Sequence, residues 1–201
     1  MNSFVLGLTG SIAMGKTTVS EMFKELGVPV WCADSAVKDL YEPQAEGTRK
    51  LKKFLPVAVD ENGVNKEILK NLIHKDNKVL RKIENLIHPL LRKSKEKFIK
   101  ENNMKPLIIF DIPLLFEKNQ EKNFDAVLLV TASEETQKKR ALARGKISSE
   151  DFDLIKRNQL NEKNKLKRSN FVFNTDKPLK ETKLEVKILH KKILNNEINK
   201  K

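Results

Sequence analysis

The chain opens with Phe4 to Thr9, a short and nearly unbroken apolar run of the kind that forms a buried strand. From Thr17 to Leu26 the apolar residues recur at helical spacing, and Gly27 stands where a helix C-cap glycine belongs. Val28 to Cys32 then reads as a second short strand. A strand, a helix and a strand within residues 4–32 predict a parallel sheet, and with it an α/β fold.

Residues 35–104 hold no convincing strand; Lys66 to His74, Asn77 to Ile87 and Pro89 to Glu101 read as amphipathic helices, with Pro89 placed as a helix-starting proline. The pattern turns strand-like again at Leu107 to Asp111 and Ala126 to Val130, continuous apolar runs bounded by polar residues. A helix from Ser133 to Arg144 starts on an N-cap serine with Glu134 and Glu135 in its first turn, which complements the helix dipole. Residues 144–149 break it. Phe152 to Leu160 is helical, Phe171 to Phe173 a fifth strand, and Leu179 to Ile198 a closing amphipathic helix.

At 201 residues the chain is long enough for one full core and one inserted lobe. Forty Lys and Arg against 27 Asp and Glu give a formal charge of +13, yet the basic residues are scattered among acids and apolar positions, as on solvated helix faces. The excess therefore points more to general surface charge than to a field that attracts a polyphosphate substrate. A single cysteine, Cys32, excludes a disulfide framework and a multi-cysteine zinc site, and three scattered histidines offer no ligand cluster. With no basic leader at the start and no membrane-length apolar run, the expected setting is soluble and cytoplasmic.

The motif that carries chemistry is Gly10-Ser-Ile-Ala-Met-Gly15-Lys16-Thr17, which fits G-x-x-x-x-G-K-[ST] between a predicted strand and a predicted helix. Its glycines let consecutive N–H groups turn inward on phosphate oxygens. Lys16 brings a mobile charge to the β- and γ-phosphates. Thr17 is the expected magnesium ligand, and the helix beginning there adds its positive end. Such a loop alone does not separate a small-molecule kinase from a GTPase or a helicase.

Further blocks narrow the choice. Leu8 to Val19, Leu26-Gly-Val-Pro-Val30 with Ala33-Asp34, His88-Pro89-Leu90, Pro113-Leu-Leu-Phe-Glu117, Glu135-Thr-Gln-Lys-Lys-Arg140 with Arg144, and Gln159 follow one another in an order and spacing that resemble the dephospho-coenzyme A kinase family. The resemblance spans about residue 4 to about 176. It implies transfer of the γ-phosphoryl group of ATP, with Mg2+, to the ribose 3′-hydroxyl of dephospho-coenzyme A. It also implies a five-stranded parallel P-loop kinase core over about 1–34, 105–135 and 168–201, a helical acceptor subdomain over about 35–104 and a lid over about 138–165.

Carried over by residue, the resemblance makes Asp34, Lys16 and Arg140 catalytic. A carboxylate at the end of the second strand sits where an open parallel sheet holds its ligands, and can accept the hydroxyl proton. A lone aspartate after a strand also serves as a helix cap, which is the competing reading of Asp34. Nucleotide contacts fall on Gly10, Ala13, Met14, Gly15, Lys16, Thr17, Thr18, Arg144 and Asn174. Acceptor contacts fall on Thr9, Asp34, His88, Leu114 and Leu115, and the metal on Thr17 with Asp111. Arg140 and Arg144, four apart, share a helix face. Two departures from the family's habit stand out: Cys32, where a second aspartate is common, and the pair Ala13-Met14, where Gly-Ser is common.

A nucleoside monophosphate kinase shares the loop, the helical lobe and the lid, and Ala33-Asp34 with His88-Pro89 argue against it. A GTP switch lacks its guanine-reading motif, since Asn174-Thr-Asp-Lys does not fit N-K-x-D. With one Trp and one Tyr there is little sign of a base-stacking platform, so no nucleic-acid partner and no membrane partner are expected.

Overall fold

The structure is a computed structural model that describes residues 3–145 and 147–198. Expectations touching Met1, Asn2 and 199–201 at the ends of the core, and Lys146 in the lid, lie outside the described residues.

In chain order, β1 (Phe4–Thr9), α1 (Lys16–Glu25) and β2 (Val30–Cys32) are followed by α2 (Ala33–Tyr41) and α3 (Glu46–Phe54). A small hairpin of β3 (Val59–Asp60) and β4 (Gly63–Val64) precedes α4 (Lys66–Lys75) and α5 (Asn77–Glu101). Then come β5 (Leu107–Asp111), β6 (Ala126–Thr131), α6 (Glu134–Ala143), α7 (Ser149–Arg157), α8 (Glu162–Arg168), β7 (Phe171–Asn174) and α9 (Leu179–Leu194). The chain divides into two compact units, Met1–Trp31 with Asn102–Lys201, and Cys32–Glu101.

The first unit is built on a parallel sheet of order β2-β5-β1-β6-β7. Its register pairs Leu8 with Asp111, Thr9 with Leu129 and Thr131 with Asn174, so β1, β5, β6 and β7 all end along one edge. That edge is where open α/β sheets bind ligands. Leu6 and Leu8 point to one face and meet Val19 and Phe23 of α1 and Val186, Leu189 and Ile193 of α9. Burial of each such side chain is worth about 1.5–3 kcal/mol. On the other face a methyl added at Gly7 would lie 2.9 Å from Leu115 and 3.0 Å from Phe124, so only glycine lets that segment pack so close.

The second unit is helical. Leu51 of α3, Leu69 of α4 and Ile83, Ile87 and Leu90 of α5 form its core. Asn65 caps α4 by accepting from the N–H groups of Glu67 and Ile68.

Several expectations are corrected. Pro89 does not start a helix but lies inside the 25-residue α5. An internal proline costs about 3 kcal/mol, and here Ile87 and Leu90, on either side of it, are both packed into the core, which holds the helix through the proline. Residues 35–104 contain the β3–β4 hairpin, where no strand is expected; Val59 pairs with Val64 and Asp60 with Gly63. Two-residue strands are too short to show a period. The helices α2, α3 and α8 are additional, and α7 starts at Ser149 because Ser148 and Asp151 form a capping box there.

Candidate active site

The loop Gly10 to Thr17 leaves the end of β1 and enters α1. Gly10 lies against β6, where an added Cβ would sit 2.7 Å from the Val130 carbonyl oxygen, a backbone atom that cannot swing away. Ala13 (φ 59°) and Gly15 (φ 88°) are both left-handed, the alternation that turns successive N–H groups into one concavity. For Ala13 that conformation costs about 1 kcal/mol, offset by burial of its methyl among Ala141 and Phe152. No acidic residue occupies the first turn of α1, so its unpaired N–H groups and positive dipole end remain available to an anion.

Side chains from later in the chain hold the loop open. Gln137, buried in α6, donates to the Ile12 carbonyl (2.8 Å), and Gln159 accepts from the Ile12 N–H (3.2 Å). The Thr175 hydroxyl donates to the Met14 carbonyl (2.9 Å), and Lys165 donates to the Ser11 hydroxyl (2.9 Å). Lys16 reaches along the sheet edge to an ion pair with Asp111, which ends β5 and is 3% exposed. The Thr17 and Thr18 side chains are exposed.

A cleft of about 380 Å³ opens beside the loop, lined by Gly15, Thr18, Arg140, Arg144, Thr175 and Lys177. Arg140 is pinned in its wall, donating to the Thr175 hydroxyl (2.8 Å) and carbonyl (2.7 Å), while three of its five N–H donors remain. Arg144 ends α6 and is exposed. Asp176 ties this wall to the start of α6 by accepting from the Ser133 N–H (2.7 Å) and hydroxyl (3.1 Å). The Thr136 hydroxyl, followed by these Ser133 bonds, holds the Asp176 carboxyl below its usual range. A larger cleft of about 670 Å³ lies on the other flank of the loop, between Ser11, Met14 and Gln137 and the α7–α8 residues Lys156, Arg157 and Gln159.

Lys16, Asp111, Arg140, Arg144 and the loop residues Gly10, Ala13, Met14, Gly15, Thr17 and Thr18 are thus all carried at or beside one sheet edge in the first unit. Three expected residues are placed otherwise. Thr9 is fully buried and spends its hydroxyl on the Pro113 carbonyl (3.2 Å), so it supports the site from below. Leu115 is 0% exposed and fills the core over Gly7, whereas Leu114 is 41% exposed and open to a ligand. Asn174 folds its side chain onto the Asp176 N–H (2.8 Å), leaving Thr175 and Lys177 to line the cleft. Asp34 and His88 belong to the second unit. Asp34 lies exposed in the first turn of α2, and His88 is exposed on α5, not packed in a core.

Gln137, Gln159, Lys165 and Thr175 are contributors to which the motif assigns no role. Gln137 and Gln159 stand in blocks that carry the resemblance, but nothing in a sequence tells a loop clamp from a surface glutamine. Among the described residues no group of three or more His, Cys, Asp and Glu could hold a metal. Mg2+ in phosphoryl transfer needs no such cage, since one or two side chains, substrate phosphates and water complete its shell.

A glycine-rich loop of this form at the C-terminal edge of a five-stranded parallel sheet, with a basic wall beside it, defines a P-loop fold of the small-molecule kinase class. The model of the family described as Dephospho-CoA kinase matches residues 4–181, and the chain belongs to that family. Dephospho-CoA kinase of Jannaschia sp. (strain CCS1) is 41% identical over 174 residues, 87% of this chain and 89% of that protein. The enzyme of the same name from Bartonella henselae (strain ATCC 49882 / DSM 28221 / CCUG 30454 / Houston 1) is 38% identical over 195 residues, 96% of this chain and 99% of that one. Among solved structures, TT1252 from Thermus thermophilus superposes with a TM-score of 0.83 at 28% identity, covering 96% of this chain and 98% of its own. Dephospho-CoA kinase from Campylobacter jejuni shares the fold, with a TM-score of 0.72 at 24% identity over 96% of this chain and 98% of its own. Among the described residues no helix is long and apolar enough to cross a membrane.

Proposed function

We propose that the chain transfers the γ-phosphoryl group of ATP to the ribose 3′-hydroxyl of dephospho-coenzyme A, giving coenzyme A and ADP. The observation that carries this reading is the family match over residues 4–181, which spans the phosphate loop and every block beyond it through Gln159. ATP phosphates lie in the loop, with Lys16 exchanging Asp111 for the β- and γ-phosphate oxygens. Adenine occupies the cleft between Thr18, Arg144, Thr175 and Lys177. Thr17, and Asp111 through water, would hold Mg2+, which would supply charge neutralisation at the phosphates. Asp34 accepts the 3′-hydroxyl proton, the helical subdomain over about 35–104 serves acceptor binding through His88, and the exposed Leu114 is a further acceptor contact. The segment 138–165 acts as lid. The reaction takes place in the cytoplasm.

The test is ADP release by the purified protein with ATP and magnesium, comparing dephospho-coenzyme A, AMP, CMP and shikimate as acceptors. Dephospho-coenzyme A is expected to exceed the others at least about a hundredfold in kcat/KM, the discrimination that buried polar contacts provide. Equal or faster turnover with AMP or CMP would move the chain to the nucleoside monophosphate kinases.

Arg140 and Arg144 act, in this reading, on charge that develops during transfer. The double replacement Arg140→Ala/Arg144→Ala is expected to lower kcat by about a hundredfold or more while leaving the KM for dephospho-coenzyme A nearly unchanged. Arg140 also anchors Thr175, so ATP binding weakens as well. A rise confined to the acceptor KM contradicts the assignment.

A further inference from the structure

We propose that Lys165 is a positioning residue for phosphoryl transfer, acting through its ion pair with Glu117 to fix the flank of the phosphate loop against the Pro113–Glu117 segment and the foot of the lid. The proposal rests on the kinase reading above. Lys165 lies in α8, in a lysine-rich stretch that reads as surface, yet it is 1% exposed. Lysine is almost never buried so fully without a partner. Its ammonium lies 2.8 Å from Glu117 Oε1 and donates to the Ser11 hydroxyl of the loop at 2.9 Å.

The same Glu117 oxygen accepts from the Leu160 N–H at 2.9 Å. Leu160 follows Gln159, whose side chain accepts from the Ile12 N–H of the loop at 3.2 Å. The contacts therefore close a ring that runs from Ser11 and Ile12 through Gln159 and Leu160 to Glu117 and back through Lys165. Three separate stretches of chain meet in it: the loop that grips phosphate, the segment bearing Leu114, and the end of the lid. An apolar pair of similar volume would stabilise such a junction at least as well, since two buried charges must be desolvated. What the ion pair adds is a fixed distance and direction. Its net charge is zero, so it works through geometry rather than through attraction of ATP.

The experiment compares wild type, Lys165→Met and the double variant Lys165→Met/Glu117→Gln for melting, ATP affinity by calorimetry without acceptor, and coenzyme A formation. Lys165→Met alone strands Glu117 and melts lower. The double variant removes both charges and is expected to melt within a few degrees of wild type, yet to bind ATP about tenfold more weakly and turn over about a hundredfold more slowly, the cost of a slightly misplaced reacting group. Turnover that recovers with melting to within about threefold of wild type overturns the proposal, because the pair is then only a structural contact. Failure of the double variant to fold overturns it in the same way. Should wild type bind ATP but form no coenzyme A, the acceptor reading falls alone; loop positioning is then read from ATP affinity, and an unchanged affinity in the double variant refutes it.

Discussion

Lys16→Ala is expected to lower coenzyme A formation by at least about a hundredfold, the scale of removing one preorganised charge from a phosphoryl-transfer site. Lys16 is paired with Asp111, whose side chain is almost fully buried, so the substitution does more than remove a charge from ATP. It takes the lysine away from a buried carboxylate, and breaking a buried ion pair costs about 3–5 kcal/mol. Lower melting alone could then be mistaken for the cause of lost activity. Lys16→Ala/Asp111→Asn separates the two: neutralising Asp111 restores melting, and turnover stays low because the phosphates still lack the lysine. Recovery of turnover together with melting would remove Lys16 from the chemistry. Since Asp111 is also the proposed water-mediated metal contact, Asp111→Asn alone is the control that measures its own share.

The parallel core was legible because its strands are long, apolar and bounded by polar residues, and because the phosphate loop requires a strand before it and a helix after it. β1, β5 and β6 follow the apolar runs at 4–9, 107–111 and 126–130 closely. What escaped has physical reasons. Pro89 signals a helix start locally, but Ile87 and Leu90 on either side of it are both buried, and tertiary packing outweighs the local rule. The β3–β4 strands are too short for any period. Within the site, the loop itself was visible, whereas its clamps were not. Lys165 looks like every other lysine of a basic stretch, and its burial depends on Glu117 and Ser11, distant in sequence. Leu114 and Leu115 are neighbours with opposite fates, one open and one packed over Gly7, and adjacent leucines carry no sign of which is which.

Asp34→Asn separates a catalytic carboxylate from a structural one more sharply than any other substitution. The N-cap of α2 is Cys32, and no side chain caps that helix; Asp34 lies two residues further in, exposed. The capping role that competes with catalysis is therefore not the one this residue fills. What Asp34 gives the fold is a negative charge near a helix N-terminus, worth about 0.3–1 kcal/mol at an exposed position. Asn removes that charge while keeping size and shape, so melting is expected to fall only slightly. ATP binding, which belongs to the loop and the cleft beside it, stays near the wild-type value. Turnover falls by roughly two orders of magnitude or more, because an amide cannot take up the 3′-hydroxyl proton as the oxygen attacks phosphorus. All three quantities are measured on one preparation: thermal melting, ATP affinity and the rate of coenzyme A formation. Turnover within a few fold of wild type would remove Asp34 from the mechanism, and a joint collapse of melting and turnover would make it a structural aspartate after all. The retained outcome, intact fold and ATP binding with the transfer step lost, is the signature of a group that meets the acceptor's hydroxyl and nothing else.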